Sequence, residues 1–199
     1  MVATVLGDRV ADPTTRVTDA ALRCFARWGV AKTTLDDIAR EAGCSRATVY
    51  RLFPGGKEVV LESAAGGELT RFLDGLRSAL AETPDDLEEL LVVGVSYAAR
   101  TVRDHEALQF LLAHEPEVIL PLIAFDRCNV VLGLAASFAA PWLEPHVGRE
   151  WAHRGGEWLA RMVLSYTLVP SAGFDLTDDA GARRFVRSFV LPGLRSATN

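Results

Sequence analysis

Several motifs that would mark an enzyme or a metal protein are missing from this sequence. No His-x-x-x-His or Cys-x-x-Cys pair supplies the ligand spacing of common zinc sites. No Gly-x-Ser-x-Gly elbow, P-loop or dinucleotide fingerprint is present, so neither an activated serine nor a phosphate-binding loop is indicated. We therefore expect a protein that is not an enzyme and that needs no metal or cofactor.

Cysteines and long apolar runs are also scarce. The three cysteines, Cys24, Cys44 and Cys128, are few and widely spaced, which argues against a disulfide framework. No uninterrupted apolar run approaches the roughly 20 residues that cross a bilayer, and the first residues do not resemble a secretory signal. We expect a cytoplasmic protein that does not enter a membrane.

The chain has 199 residues, of which 49% are hydrophobic, enough to bury a substantial core. Its formal net charge is −5, but the charge is unevenly distributed. Residues 1–57 hold nine Lys/Arg against six Asp/Glu, whereas residues 58–199 hold twelve against twenty. A basic N-terminal part on an acidic remainder would confine any attraction for nucleic acid to the N-terminal part.

Two short helical patterns surround a tight turn in this basic part. Leu35, Ile38 and Ala39 recur at helical spacing, and Gly43 follows where a turn can require positive φ. Ser45 then begins a second helix as its N-cap. Two helices joined by a short glycine-containing turn form the helix-turn-helix layout, whose second helix enters the DNA major groove.

The second helix has an inward and an outward set of side chains. Ala47, Val49 and either Leu52 or Phe53 are predicted to face inward. Arg46, Thr48, Tyr50 and Arg51 would then offer hydrogen-bond donors to a ligand, and no acid lies between Glu41 and Glu58. An arginine can bind guanine O6 and N7, and hydroxyls suit phosphate oxygens. The alternative is an ordinary pair of packed helices.

The sequence ALRCFARWGVAKTTLDDIAREAGCSRATVYRLF resembles the TetR family of bacterial transcriptional regulators. The resemblance runs from about Thr15 to Lys57 and includes the Phe25-to-Gly29 step and the core formed by Gly43, Ser45, Tyr50 and Phe53. The sequence departs from the family pattern twice. Lys57 lies one residue further from Phe53 than is usual, and position 52 is Leu where the family commonly has an aromatic residue or His.

From these motifs we predict the DNA contacts. Arg46 and Arg51 are predicted to contact bases or the groove. The residues predicted mainly to contact phosphates are Thr34, Ser45, Thr48, Tyr50 and, by the resemblance, Lys57.

The remainder of the chain also has helical patterning, so the predicted fold is all-α with about nine helices. Residues 1–56 are expected to form an N-terminal arm and a three-helix DNA-binding domain, and residues 57–199 a helical ligand-binding and dimerisation domain. The first helix is predicted over Thr15 to Trp28 with Trp28 facing inward, and a later long helix is expected to end before Pro141.

The resemblance implies a homodimer in which the last two long helices pair with those of a second subunit. The apolar residues expected at this interface are Trp158, Leu159, Met162, Phe185 and Phe189. Periodicity alone does not separate an interface from the core of one subunit, so core packing remains the alternative.

The resemblance also implies a small-molecule effector bound in the body, whose binding moves the fourth helix. Candidate lining residues are Phe72, Leu76, Tyr97, Phe110, His114, Phe125, Trp142 and Tyr166. Each could equally be plain core, because aromatic residues at helical spacing are typical of cores. Their character indicates an apolar or aromatic ligand.

The sequence thus predicts a TetR-like repressor that binds a palindromic double-stranded DNA operator as a homodimer and is released by a small ligand. An all-helical ligand carrier or interaction module without sequence-specific DNA binding is the alternative. A helical-bundle enzyme is disfavoured, because no pairing of a nucleophile with a base is seen.

Overall fold

The computed structural model describes residues 12–123, 125–169 and 173–196, and their regular elements are helices. A π-helical turn, Val186–Val190, joins the last two α-helices into one continuous segment. The helices are α1 (Pro13–Lys32), α2 (Leu35–Glu41), α3 (Arg46–Leu52), α4 (Lys57–Ala81), α5 (Leu87–Asp104), α6 (Glu106–His114), α7 (Pro116–Ile123), α8 (Phe125–Val147), α9 (Arg149–Leu168), α10 (Asp179–Phe185) and α11 (Leu191–Ser196). The predicted all-α fold is confirmed.

The chain divides into two compact units, Met1–Leu69 and Thr70–Asn199, and the division falls inside α4. The predicted functional division at residue 57 lies at the start of α4. That functional division stays a prediction.

The first unit is built on a small apolar core. Phe25, Ile38 and Val49, one from each of α1, α2 and α3, are fully buried. Burying each such side chain contributes about 1.5–3 kcal/mol. Helix α1 begins at Pro13, where a missing N–H has no intrahelical partner to lose, and it is interrupted at Gly29, where φ is 78°.

The interruption at Gly29 changes the direction of the side chains near it. The predicted end of the first helix at Trp28 coincides with this break. The predicted inward orientation of Trp28 is wrong, because its side chain is 43% exposed. Helical spacing places a residue on a face only while the helix is regular, and Trp28 is the last residue before the break.

The second unit has a core shared by α5, α8, α9 and the C-terminal helical segment. Val95 from α5, Phe185 and Val186 are fully buried, and Leu143 and Leu194 are nearly so. Arg183 lies beside this core and joins α10 to the start of α5, where its guanidinium contacts Glu88 at 2.9 Å and Glu89 at 2.6 Å.

Helix α8 continues through Pro141 and Pro145 to Val147, so the predicted end before Pro141 is wrong. An interior proline costs about 3 kcal/mol of helix stability. Leu143 and Val147 are both buried in the core of the second unit. Since each burial contributes about 1.5–3 kcal/mol, the packing of these two side chains is comparable in size with the cost of the two prolines.

Within the residues that the structure describes, one helical stretch, Cys128–Val147, is long and apolar enough to cross a membrane by length and composition, with a mean hydropathy of 1.2. The helix that contains this stretch packs against α9. Core helices of soluble proteins meet the same criterion, so this composition alone is weak evidence for a membrane span.

Candidate nucleic-acid interface and internal cavity

Helix α2 begins with a reciprocal cap that fixes the position of Thr34. The Asp37 backbone N–H donates to Thr34 Oγ1 at 3.2 Å, and the Thr34 backbone N–H donates to Asp37 Oδ2 at 3.0 Å. Hydrogen bonds from Thr34 hold the pKa of the Asp37 carboxyl below its ordinary value. A capping box of this kind satisfies free backbone donors at the helix start, and it leaves Thr34 exposed there.

The turn between α2 and α3 depends on Gly43. Its φ is 63°, in the left-handed region that glycine adopts without steric cost, as the sequence predicted. Next to it, the Cys44 backbone N–H donates to Ala39 O at 3.0 Å. The Arg16 guanidinium of α1 donates to Ala42 O at 2.9 Å, so the turn is also held from outside.

Ser45 caps α3 as predicted. The Thr48 backbone N–H donates to Ser45 Oγ at 3.1 Å. Val49 and Phe53 anchor the helix in the core, as the pattern indicated. Ala47, by contrast, is exposed, so its predicted inward orientation is wrong. On a seven-residue helix only one narrow stripe faces the core, and Val49 occupies it.

The outward face of α3 carries Arg46, Ala47, Tyr50 and Arg51, all exposed, with Thr48 half-buried at its edge. Arg46 is held at two points: its guanidinium donates to Tyr50 Oη at 3.2 Å and pairs with Asp36 at 3.0 Å. The Tyr50 hydrogen bond and the nearby Asp36 carboxylate raise the pKa of Arg46 above its ordinary value. Because both partners of the ion pair are more than half exposed, the pair contributes little to the stability of the fold and can open for a ligand.

Arg51 differs from Arg46. Among the residues that the structure describes, no hydrogen bond or ion pair holds its guanidinium. The five N–H donors of this side chain therefore need not leave a protein partner before they bind something else.

Glu41, the last residue of α2, is paired with two arginines of α1. Arg23 pairs with Glu41 at 2.6 Å, and Arg27 pairs with the same carboxylate at 3.3 Å. The hydrogen bond from Arg23 is the main reason that the pKa of Glu41 is lowered. The negative charge of Glu41 is therefore balanced within the first unit.

Lys57 occupies a place that the sequence did not predict. Its ammonium donates to Val30 O at 2.6 Å and Thr33 O at 3.1 Å, at the C-terminal end of α1. A cation at a helix C-terminus satisfies free carbonyls and suits the helix dipole. The phosphate contact predicted for Lys57 stays a prediction, and it would require the ammonium to be shared or released.

The second unit contains a cavity of about 270 Å³, lined from α4, α5, α8 and α9. Three of the predicted ligand-binding residues, Phe72, Leu76 and Trp142, line this cavity. Tyr97 packs on Phe72 with ring centroids 5.8 Å apart but is not part of the described lining.

Three other predicted ligand-binding residues are not in the described lining of this cavity, and their role in ligand binding stays a prediction. Phe110 and His114 stack on one another on α6, with centroids 4.4 Å apart. Tyr166 belongs to an aromatic cluster with Phe174 and Phe185, and the ring centroids of Tyr166 and Phe185 are 4.8 Å apart. The Phe125 side chain lies outside the part of the chain that the structure describes.

The sequence prediction favoured aromatic residues and missed the small ones. Much of the described lining consists of glycine, alanine and aliphatic side chains, including Gly94, Ala98 and Ala135. Gly94 was a usable signal for the cavity, because a glycine inside a regular helical pattern destabilises the helix and often has a packing or functional role.

The predicted dimer residues divide by their exposure in a single chain. Phe189 is 43% exposed, and Trp158 and Met162 are half-buried. Phe185 is fully buried inside one subunit, so it is a core residue and its assignment to a dimer surface is wrong. Leu159 lines the cavity. Helical periodicity gave the same signal for both roles, because core and interface are both apolar.

Comparison with known proteins identifies the family. A family model described as bacterial regulatory proteins, tetR family, matches residues 17–64. The chain is 31% identical over 177 residues to an HTH-type transcriptional regulator of Mycobacterium tuberculosis (strain ATCC 25618 / H37Rv), covering 89% of this chain and 83% of the relative. It is 35% identical over 104 residues to a probable acrEF/envCD operon repressor of Escherichia coli (strain K12), covering 50% and 46% of the two chains.

Solved structures share the fold. The TetR family repressor AlkX from Dietzia sp. strain DQ12-45-1b, implicated in biodegradation of n-alkanes, superimposes with a TM-score of 0.67 at 20% identity, over 95% of this chain and 98% of that chain. The fatty acid degradation regulator FadR from Bacillus halodurans superimposes with a TM-score of 0.63 at 22% identity, over 89% of this chain and 96% of that chain. With a helix-turn-helix capped at both helices, and a relative that matches over most of its length, the chain belongs to the TetR family of bacterial transcriptional regulators.

Proposed function

We propose that this transcriptional regulator is a repressor that binds a palindromic operator as a homodimer and is released by an apolar small molecule held in the cavity. The observation that carries the DNA-binding part is the outward face of α3, where Arg46, Tyr50 and Arg51 are exposed together. The protein would act in the cytoplasm, where its operator lies, and the cycle of binding and release includes no chemical reaction.

The residues on this face divide into two roles in the proposal. Arg51 contacts base edges directly. Arg46 contacts them after its ion pair with Asp36 has opened. The hydroxyls of Thr34, Ser45, Thr48 and Tyr50 contact phosphates, because they stand at the starts of α2 and α3 or beside the arginines. Lys57 contributes a phosphate contact if its ammonium is shared with, or released from, the α1 carbonyls.

A dimer is part of the proposal for two reasons. One seven-residue helix reads few base pairs, so two copies on a two-fold axis are needed for a specific site, with recognition helices about 34–36 Å apart. In addition, Phe189 of the C-terminal helical segment leaves an aromatic surface exposed, and Trp158 and Met162 of α9 are half-buried. Aromatic and methionine side chains are enriched where subunits meet.

The cavity supports the release step. Its described wall includes Phe72 and Leu76, which lie on α4, and Lys57 begins the same helix in the first unit. A ligand that fills the cavity therefore contacts the helix that both units share. A ligand shifts an equilibrium only by its difference in affinity for the two states, so the proposal requires weaker effector binding by the DNA-bound protein.

Selection of bound duplexes from a random DNA pool, with the purified full-length protein and no added ligand, tests the proposal. We expect enrichment of an inverted repeat whose half-sites are centred one helical turn apart, about 10–10.5 base pairs or a multiple of this. Enrichment of single half-sites would contradict the dimeric mode. No enrichment at low salt would contradict operator binding by the free protein and favour a ligand carrier.

A further inference from the structure

The residues that line the cavity of the second unit extend far along two of its helices. Helix α5 lines it from Leu90 to Val102, thirteen residues whose ends lie about 18 Å apart at the helical rise of 1.5 Å per residue. Helix α8 lines it over the same number of residues, from Val131 to Leu143. The volume of about 270 Å³ lies below the roughly 300–1,000 Å³ of most ligand sites. A small volume spread over this length suits an extended chain better than a broad ring system.

The described wall of the cavity holds no charged side chain. Its polar side-chain groups are the Thr167 hydroxyl and the Trp142 indole N–H. The Thr167 hydroxyl already donates to Val163 O at 2.7 Å, so it can accept a further hydrogen bond but has no free donor. An ionised carboxylate or ammonium buried here would lose its hydration without gaining a counter-ion, which is costly.

Gly94 gives the cavity part of its width. It lies inside α5, where a glycine is about 0.5–1 kcal/mol less favourable than alanine. A Cβ atom built on Gly94 meets nothing within 4 Å, so packing does not require the glycine. Gly156 on α9 is the contrast, because its Cβ would meet Ala139 Cβ at 2.9 Å. Gly94 therefore leaves open space in the wall, whereas Gly156 permits two helices to approach.

We propose that the effector is an uncharged, extended aliphatic molecule whose chain runs along α5 and passes over Gly94. This inference rests on the proposed ligand-released repressor and assigns the chemical class of its effector. A terminal hydroxyl on such a chain can donate to Thr167 Oγ1, while the methylene groups contact Phe72, Val95 and Leu159.

The first test compares two probes of equal chain length that differ in charge, 1-dodecanol and dodecanoate, by calorimetry with the full-length protein at neutral pH. We expect 1-dodecanol to bind at least about tenfold more tightly, because the dodecanoate carboxylate has no counter-ion in the wall. Dodecanoate affinity should rise as the pH falls toward the ordinary carboxyl pKa of about 4–5. Equal or tighter binding of dodecanoate at neutral pH would overturn the assignment, as would failure of both probes to bind.

Phenanthrene tests the shape, since it is uncharged but broad and rigid. We expect it to bind at least about tenfold more weakly than 1-dodecanol. Equal affinity would overturn the extended shape.

A matched pair of variants tests where the aliphatic chain of the ligand lies in the cavity. Gly94→Leu and Gly133→Leu each place a leucine inside a helix at a position where a Cβ meets nothing within 4 Å, but Gly133 is outside the described lining. Gly94→Leu should lose at least about tenfold in 1-dodecanol affinity, while Gly133→Leu keeps it. Gly94→Ala, which adds one methyl group, should lose less. Equal affinities for the two leucine variants, both with the parent's circular dichroism, would overturn the path over Gly94.

These measurements contain no DNA, so they separate the ligand assignment from the proposed function. If 1-dodecanol binds as expected but does not release the protein from its selected duplex, the release step fails and the ligand class stands. If release occurs with dodecanoate and not with 1-dodecanol, the repressor stands and the ligand class fails.

Discussion

At the scale of single residues, the two arginines of α3 start from different states. Arg46 is engaged by Tyr50 and Asp36, whereas Arg51 has no partner among the described residues. An arginine that is already free gives up nothing in the protein when it binds a base. Arg51 should therefore contribute more net binding free energy than Arg46.

Arg51→Ala should weaken the selected duplex by about 1–3 kcal/mol and relax the base preference at the position it reads. Fluorescence anisotropy with the selected duplex and single-base variants of it measures both effects. Arg77→Ala, which removes an exposed arginine of the second unit, is the control and should change neither. Equal losses on selected and random duplexes would exclude base recognition by Arg51.

Lys57→Met should destabilise the protein, because its ammonium satisfies carbonyls at the end of α1. Hydrogen bonds to a charged group are worth about 1.5–3 kcal/mol, and urea denaturation would measure the loss. The salt dependence of DNA binding tests the separate phosphate contact. A slope of log affinity against log salt that falls by about one would support that contact, whereas an unchanged slope would contradict it.

At the scale of the elements, local sequence rules explain the helix-turn-helix well. Each of three features depends only on residues within four positions of it, so the sequence could predict it. These features are the cap at Thr34, the cap at Ser45 and the positive φ of Gly43. Trp28 and Ala47 were misplaced because burial depends on which stripe of a helix the rest of the unit covers.

Gly43→Ala isolates the conformational part of the turn. A Cβ there would come no nearer than 4.0 Å to Arg16, so the change adds left-handed strain of about 1–2 kcal/mol without a clash. Gly67→Ala inside α4 is the control, and it should stabilise by about 0.5–1 kcal/mol. The midpoint of urea denaturation should fall for Gly43→Ala and rise for Gly67→Ala. An unchanged midpoint for Gly43→Ala would mean that the turn does not need a left-handed residue.

The second unit was harder to predict because its features depend on contacts far apart in sequence. The prolines of α8 are tolerated because Leu143 and Val147 are buried by other elements. The cavity exists because small residues leave space between helices that are far apart in sequence. The sequence alone does not show which helices will face one another. Lys57 is similar, since its carbonyl partners lie 24 or more residues earlier in the chain.

At the scale of the whole molecule, the proposed binding to a palindromic operator requires two subunits. Phe189→Asp should shift the protein toward monomer in sedimentation experiments, because it places a charge on an aromatic surface that the proposed dimer covers. Phe185→Ala should instead cost about 3–5 kcal/mol of folding stability, because it empties a fully buried site. If Phe189→Asp stayed dimeric at low concentration, the interface would lie on another surface.

The ratio of two dissociation constants tests sequence-specific DNA recognition most directly. The two probes are the selected inverted-repeat duplex and a shuffled duplex of the same composition, measured with the full-length protein at physiological salt. We expect the selected duplex to bind about 10³-fold or more tightly, in the range of specific DNA-binding proteins. A ratio near one would contradict the account, because the exposed face of α3 would then attract phosphates without reading bases.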